Sequence, residues 1–276
     1  MIIFAENMPK TKIEQLRSRL IKKVREEVVE KFSGVDNHII KAVNVLDDLD
    51  NVGNLLAEHA REWYGFYFPE LEKIAKENEL FLRLVSELGE REKLTKAEIS
   101  KIHENELTAE RIEGAAKKTI GSEVKKEDLA EIKLLALNAL NLIEERKYLE
   151  KYIDMRMKEF CPNISEIAGS VLGAKLLAKA GSLKRIALMP SSTIQILGAE
   201  KALFMSRKKH AKGPKYGLLF QHALVKQMKK EHKGKLARTL AGKIATAAKA
   251  DYFTKRNIAD ELKRSLEARV KEISKR

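Results

Sequence analysis

The sequence predicts a mainly α-helical protein: a small N-terminal α domain with room for one strand, a long antiparallel helical-hairpin coiled coil, and an all-α C-terminal domain. Three observations carry this. Apolar residues make up 44% and charged residues 34% of the 276-residue chain, a composition able to bury a core. Aromatics are few at 6%, and Ala, Leu, Glu and Lys dominate, which favours helix. Apolar residues recur at three/four spacing over long stretches. The expected segments are 1–90, 91–160, 161–253 and a charged helix or tail at 254–276.

MIIFAEN (1–7) reads as a short strand. From Thr11 to about Phe32, Ile13, Leu16, Leu20, Val24 and Val28 share one helical stripe. Asp36 opens an amphipathic run through Ile39, Ile40, Val43, Leu46, Leu49, Val52, Leu56 and His59. It ends in REWYGFYFPEL (61–71), where Gly65 loosens a helix and Pro69 interrupts it. Thr95 and Glu98 form a capping box that starts the hairpin's first arm, with Ile99, Ile102 and Ile112. IGS (120–122) is the turn. The second arm runs from about Glu127 to Phe160, with Leu129, Ile132, Ala136, Ala139, Ile143 and Tyr152 along a narrow seam. Arms this long predict a homodimer through the coiled coil, with Ile102, Ile112, Ile132, Ala139 and Ile143 at the contact. Packing inside a bundle is the competing reading.

FCPNI (160–164) reads as a hinge, and Ile164 to Ala180 as a small-residue-rich helix closed by Gly181. MPSST (189–193) supplies Pro190 and a serine cap for a helix at 193–205 carrying GAEKALF. KGPKYG (212–217) is a turn. The stretch 232–253 is a helix with Leu236, Leu240, Ile244 and Ala247 inward. Its other face aligns Lys235, Arg238, Gly242 and Lys249.

The net charge of +14 is unevenly spread. Residues 1–159 hold 28 Lys/Arg against 32 Asp/Glu, whereas 160–276 hold 26 against 8. A half this one-sided predicts a polyanion partner. Cys161 is the one cysteine, so no intrachain disulfide forms and a reducing compartment is expected. No window approaches a membrane span, and the N-terminus lacks the signal-peptide pattern. These features predict a soluble, cytoplasmic chain with no membrane partner.

Motifs for catalysis and metal are missing. HENEL (103–107) lacks the second histidine of a zinc-protease helix, and six scattered histidines with one cysteine make no zinc set. GKL (234–236) and GKI (242–244) lack the first glycine and the Ser/Thr of a phosphate loop. No dinucleotide fingerprint or nucleophile elbow occurs. The reading is a non-enzymatic protein with no bound cofactor or metal.

The stretch GAEKALFMSRKKHAKGPKYGLLFQH (198–222) is the candidate interface. Gly198 and Ala199 leave a helix bare enough for close approach of a nucleic-acid backbone. Lys201, Arg207, Lys208, Lys209 and Lys215 supply charge for phosphates, with Lys235 and Arg238 from the later helix. Gln195, Gln221 and His222 add polar contacts, and Phe204, Tyr216 and His222 are candidates for base stacking. In the competing reading Gly198 and Ala199 serve helix packing, and Phe204 and Tyr216 are core.

LDDLDNVGNLLAEHAREWYGFYFPEL (46–71) and PNISEIAGSVLGAKLLAKAGSLKRIALMPSSTIQILGAEKALF (162–204) resemble the signatures of the Nop-domain family, over about 36–253 in all. The short region before Asp36 and the lack of a long Lys-rich tail resemble archaeal members. The resemblance implies a scaffold of box C/D small ribonucleoproteins, which guide 2′-O-methylation of ribosomal RNA. It implies an N-terminal domain that docks fibrillarin, the S-adenosylmethionine-dependent methyltransferase, with Trp63, Tyr64 and Phe66 as candidate contacts or, alternatively, core. It further implies a dimerising coiled coil, and a Nop domain that grips box C/D guide RNA together with a small ribosomal-type kink-turn protein. A spliceosomal assembly factor with a related domain and a generic duplex-DNA-binding coiled coil are the alternatives.

Overall fold

The computed structural model describes residues 12–274 except 210, with side chains from Glu14 onward apart from 26–33. The strand expected at 1–7 lies outside the described residues. Those described are helical, and no strand occurs among them. They divide into two compact units, residues 42–155 and residues 1–41 with 156–276.

In the unit 42–155, the core is continuous from Ala57 to Leu140, with no break at the expected boundary near residue 90. Its long elements come from α2 (Val35–Gly65) and α7 (Lys126–Phe160). Gly53 faces Leu142 and Ile143, Arg146 Nε donates to Asp50 at 2.5 Å, and Ser122 N–H donates to Phe66 O at 2.9 Å. Residue numbers therefore run in opposite directions along the pair, and α2 is the antiparallel partner of α7. This corrects the expected hairpin. The segment expected as its first arm folds instead into α5 (Lys96–Ile102) and α6 (Glu106–Ala116). Thr95 caps α5 by accepting from Glu98 N–H, but the reciprocal half of the capping box is not made: Thr95 N–H donates to Lys93 O, and the Glu98 carboxylate accepts from Lys101. His103 then turns extended, and Asn105 Oδ1 takes Thr108 N–H to start α6 afresh.

The short helices α3 (Pro69–Ile74) and α4 (Asn78–Arg83) complete this unit. Arg61 ties them to α2, donating to Asn78 Oδ1 at 3.1 Å and to the carbonyls of Ala75 and Lys76 at 3.0 Å. Val52 and His59, read as inward, face solvent; the buried stripe of α2 here is Gly53, Ala57, Ala60 and Tyr64. Gly121 closes the turn before α7 so tightly that a Cβ would lie 2.0 Å from Tyr67 O.

In the other unit, α1 (Lys12–Ser33) leaves Leu16, Leu20 and Val24 of its apolar stripe exposed. The rest is built around α14 (Lys233–Lys249), whose Leu236, Leu240, Ile244 and Ala247 are buried as read. The helix expected from Ile164 to Ala180 breaks at Gly169, φ +82°, into α8 (Pro162–Ala168) and α9 (Ser170–Ala180). Gly181 ends α9 in the left-handed region. α10 (Leu183–Leu188) follows under a Ser182 cap. Of the charged helix or tail expected at 254–276, α15 (Ala259–Ser274) is a packed helix that buries Leu262, Leu266 and Ile273. Asp251 locks the start of α8 by accepting from Asn163 N–H at 3.1 Å, Asn163 Nδ2 at 2.6 Å and Ile164 N–H at 2.9 Å. Asn163 Oδ1 in turn accepts from Ile258 N–H at 2.7 Å.

Candidate nucleic-acid interface

The region expected as one helix from 193 to 205 is α11 (Ser191–Ile196), a sharp turn, and α12 (Glu200–Lys208). Pro190 rather than a serine occupies the cap of α11. Gly198 makes the turn at φ +86°, where its N–H donates to Glu200 Oε1 at 2.7 Å. That bond holds the Glu200 carboxyl below its usual range. A Cβ at Gly198 would meet Leu218 at 2.7 Å, so the glycine serves the turn, not a bare helical patch. Ala199 is the half-buried residue capping α12.

After α12 the chain returns along the end of α11. Gly217 N–H donates to Gln195 O at 3.0 Å, and Leu218 N–H to Leu197 O at 2.8 Å. Gln195 Nε2 donates to Lys215 O at 2.6 Å, and the residue is buried. Gly217 permits the approach, because a Cβ there would lie 2.1 Å from Leu197 O. The segment 214–217 thereby becomes a ridge pinned to the fold. Pro214 and Lys215 line a cleft of about 680 Å³ with Gln195, Lys235, Arg238 and Arg269. Tyr216 and Gly217 line an open recess of about 600 Å³ with Lys179, Gly198, Ala199, Lys201 and Phe220.

The fold thus brings Gln195, Lys215, Lys235 and Arg238 to one cleft, and Gly198, Ala199 and Lys201 to the recess. Arg207, Lys208 and Lys209 are at the end of α12, outside both. All seven predicted cations are exposed, and among the described residues none is in an ion pair. Two predicted polar contacts have structural work instead. Gln195 pins the ridge, and His222 caps the short helix α13 (Ala223–Gln227) through Nδ1 while its Nε2 meets Ile167 O at 3.2 Å. Burial pushes the His222 pKa down, against the opposing pull of the Ile167 carbonyl. Gln221 is exposed.

Phe204 is 68% exposed and so is not core. Tyr216 is half-buried and stacks on Phe220 with centroids 5.2 Å apart and planes 11° from parallel. Sequence reading missed Lys179 and Arg269, which stand on helices outside the candidate stretch and reach these hollows only through the fold; Phe220 lies within that stretch but carries no charge or polar group to mark it.

In the unit 42–155, Tyr64 is wholly buried and donates its hydroxyl to Gly89 O at 2.7 Å, which makes it core. Trp63 and Phe66 are exposed, at 39% and 69%. Ile112, Ile132 and Ala139 are wholly buried in this chain's own core, and Ile102 and Ile143 pack against it. Three of the five are thus buried within this chain, and Ile102 and Ile143 remain half-buried; Ile143 faces Gly53 of α2. Among the described residues no cluster of metal-ligating side chains occurs, and no helix is long and apolar enough to cross a membrane.

Residues 45–272 match the Nop model, described as "snoRNA binding domain, fibrillarin". An uncharacterized NOP5 family protein of Methanocaldococcus jannaschii is 43% identical over 241 residues, covering 87% of this chain and 58% of the relative. Nucleolar protein 58 of Sclerotinia sclerotiorum is 42% identical over 226 residues, covering 81% of this chain and 40% of that protein. The chain thus spans about half the length of these relatives. A chain of a solved fibrillarin/Nop5p complex aligns at a TM-score of 0.48 and 24% identity, covering 98% of this chain and 87% of that one. The family match extends over most of the sequence and takes in the whole of the basic ridge: this chain belongs to the Nop family.

Proposed function

We propose that this chain is the non-catalytic scaffold of a box C/D small ribonucleoprotein that guides 2′-O-methylation of ribosomal RNA, joining fibrillarin to a guide RNA and its kink-turn protein. One observation supports this above the others: the snoRNA-binding domain match covers the exposed, unpaired cations of α12 and α14 together with Lys215 on the pinned ridge. No carboxylate competes with a phosphate for such cations, and each phosphate they neutralise releases counterions. The methyl donor, S-adenosylmethionine, belongs to fibrillarin in this reading. Fibrillarin docking falls to the exposed Trp63 and Phe66, since aromatic side chains dominate interface energies. Self-association falls to the outward stripe of α7, where Leu134, Leu137, Tyr148 and Met155 are exposed at coiled-coil spacing.

The test is a salt titration of binding to a kink-turn RNA already carrying its small protein. Lys201→Ala and Arg207→Ala should each weaken binding and reduce the log–log salt slope by about 0.9. Unchanged affinity and slope in both variants would move the RNA elsewhere.

A further inference from the structure

The recess beside Gly198 differs in kind from the cationic surface around it. It is lined by the stacked pair Tyr216 and Phe220 and by the small residues Gly198, Ala199, Ala202 and Gly217. Behind the stack, Lys233 Nζ lies 4.8 Å from the Phe220 centroid and is held there by donating to Lys226 O at 2.9 Å. Phe220 is thus engaged by a cation and by Tyr216, which fixes the Tyr216 ring in position. The charges that line it are Lys179, Lys201 and Glu200, whose carboxyl the Gly198 N–H holds below its usual range. A phosphate seated in the recess would meet the Glu200 carboxylate, a repulsive contact. A flat, uncharged ring suits the walls, and the two lysines suit the phosphates on either side of it.

We propose that this recess takes one unpaired nucleobase of the bound RNA, stacked on Tyr216, with its sugar–phosphate flanks on Lys179 and Lys201. Glu200 accepts hydrogen bonds from the N–H groups on the edge of the base, so a base with an exocyclic amino group is preferred. The stack Tyr216–Phe220–Lys233 is preformed, so the base joins an ordered platform and little side-chain freedom is lost. This rests on the RNA-binding reading above and deepens it: the ridge holds the backbone, while the recess reads a base.

The experiment uses the full chain with a kink-turn RNA preassembled with its small protein, carrying 2-aminopurine at each unpaired position in turn. Stacking on Tyr216 should quench the fluorescence at one position on binding. Tyr216→Ala should abolish that quench and weaken binding roughly tenfold to a hundredfold with an unchanged salt slope. Tyr216→Trp keeps a stacking face and should keep the quench, which guards against an effect of misfolding in the alanine variant. Lys201→Ala should flatten the slope yet leave the quench. No quench at any position, or a quench that survives Tyr216→Ala, overturns the stacking proposal while RNA binding stands. No binding by the wild-type chain overturns the RNA reading itself.

Discussion

Residues 42–155 and 156–276 are built of the same helices but use charge in opposite ways. The first hold 17 Lys/Arg against 25 Asp/Glu, and the second 28 against 9. In the first, cations are committed to carboxylates: Arg83 and Lys147 to Glu79, Lys96 to Glu106 and Glu110, Lys117 to Glu113, and Arg146 to Asp50 and Glu150. In the second, the seven predicted cations on α12, the ridge and α14 are in no ion pair among the described residues. An exposed ion pair contributes little to stability, about 0–1 kcal/mol, so leaving them unpaired costs the fold little. The difference is one of availability. A paired lysine must give up its carboxylate to meet a phosphate, and a free one need not.

The largest effect is expected where the basic region breaks its own pattern and buries an acid. Asp251 satisfies three donors at the start of α8, two of them backbone N–H groups. Asp251→Ala leaves these donors buried and unsatisfied, and should destabilise the chain by about 3 kcal/mol or more. Denaturant unfolding followed by circular dichroism measures it; a loss below about 1 kcal/mol would mean that water replaces the carboxylate.

Glycines give the next test, because each region has one that a Cβ cannot replace. Gly121→Ala would strike Tyr67 O, and Gly217→Ala would strike Leu197 O. Each should cost about 1–3 kcal/mol, the usual range for forced backbone shifts. Their functional consequences should diverge. Gly217→Ala displaces the ridge from Gln195 and should weaken RNA binding severalfold, whereas Gly121→Ala should leave it alone at temperatures where both remain folded. Equal losses of binding would break the division of labour between the two regions.

Acid sharpens the same contrast. The Lys147 ammonium bonded to Glu79, aided by Arg83, holds that carboxyl below its ordinary 4.5. Burial works to raise Glu70, but its bonds from Thr119 and the Ile120 N–H outweigh burial and lower it. A lowered carboxyl stabilises the fold above its ordinary value, and that contribution is lost as pH falls through the folded value. Asp251 has the opposite sign. Burial raises it above its ordinary 3.8, despite its backbone bonds, so its charged form becomes a cost as pH rises and the cost vanishes in acid. Between pH 7 and about 3, the region 42–155 should therefore weaken first. Trp63, the one tryptophan of the chain, reports on that region. Its emission should change at a higher pH than the loss of helical ellipticity; coincident transitions would refute the ordering.

Much of this was legible in the sequence, because the signals were local. The caps at Thr95 and Gly181, the inward face of α14 and the charge asymmetry each depend on residues a few positions apart. What escaped depended on distant partners. The seam Ile132–Ala139–Ile143 looks the same whether it meets a second copy, a neighbouring arm or α2, and the pairing with α2 joins segments some ninety residues apart. Likewise, GAEKALF reads as continuous helix because the demand for positive φ at Gly198 comes from Leu218 and the returning ridge. Gln195 and His222 look like free polar groups until the carbonyls of Lys215 and Ile167 arrive beside them.

The smallest effects on stability should come from the residues proposed to meet the RNA. Lys201, Arg207 and Lys235 are exposed and unpaired, so alanine there removes no contact that the fold uses. The melting temperature of each variant should stay within about a degree of wild type, consistent with surface changes below about 0.5 kcal/mol. Relief of repulsion among neighbouring lysines pulls in the stabilising direction, and a triple variant should if anything melt slightly higher at low salt. Arg146→Ala is the control from the other region. It removes the tie to Asp50 and Glu150, and should cost about 0.5–1 kcal/mol while leaving RNA affinity unchanged. If these variants melted lower than Arg146→Ala, the three cations would be structural after all. Held apart from the fold in this way, they can be removed one at a time, and the salt slope then counts the phosphates they meet.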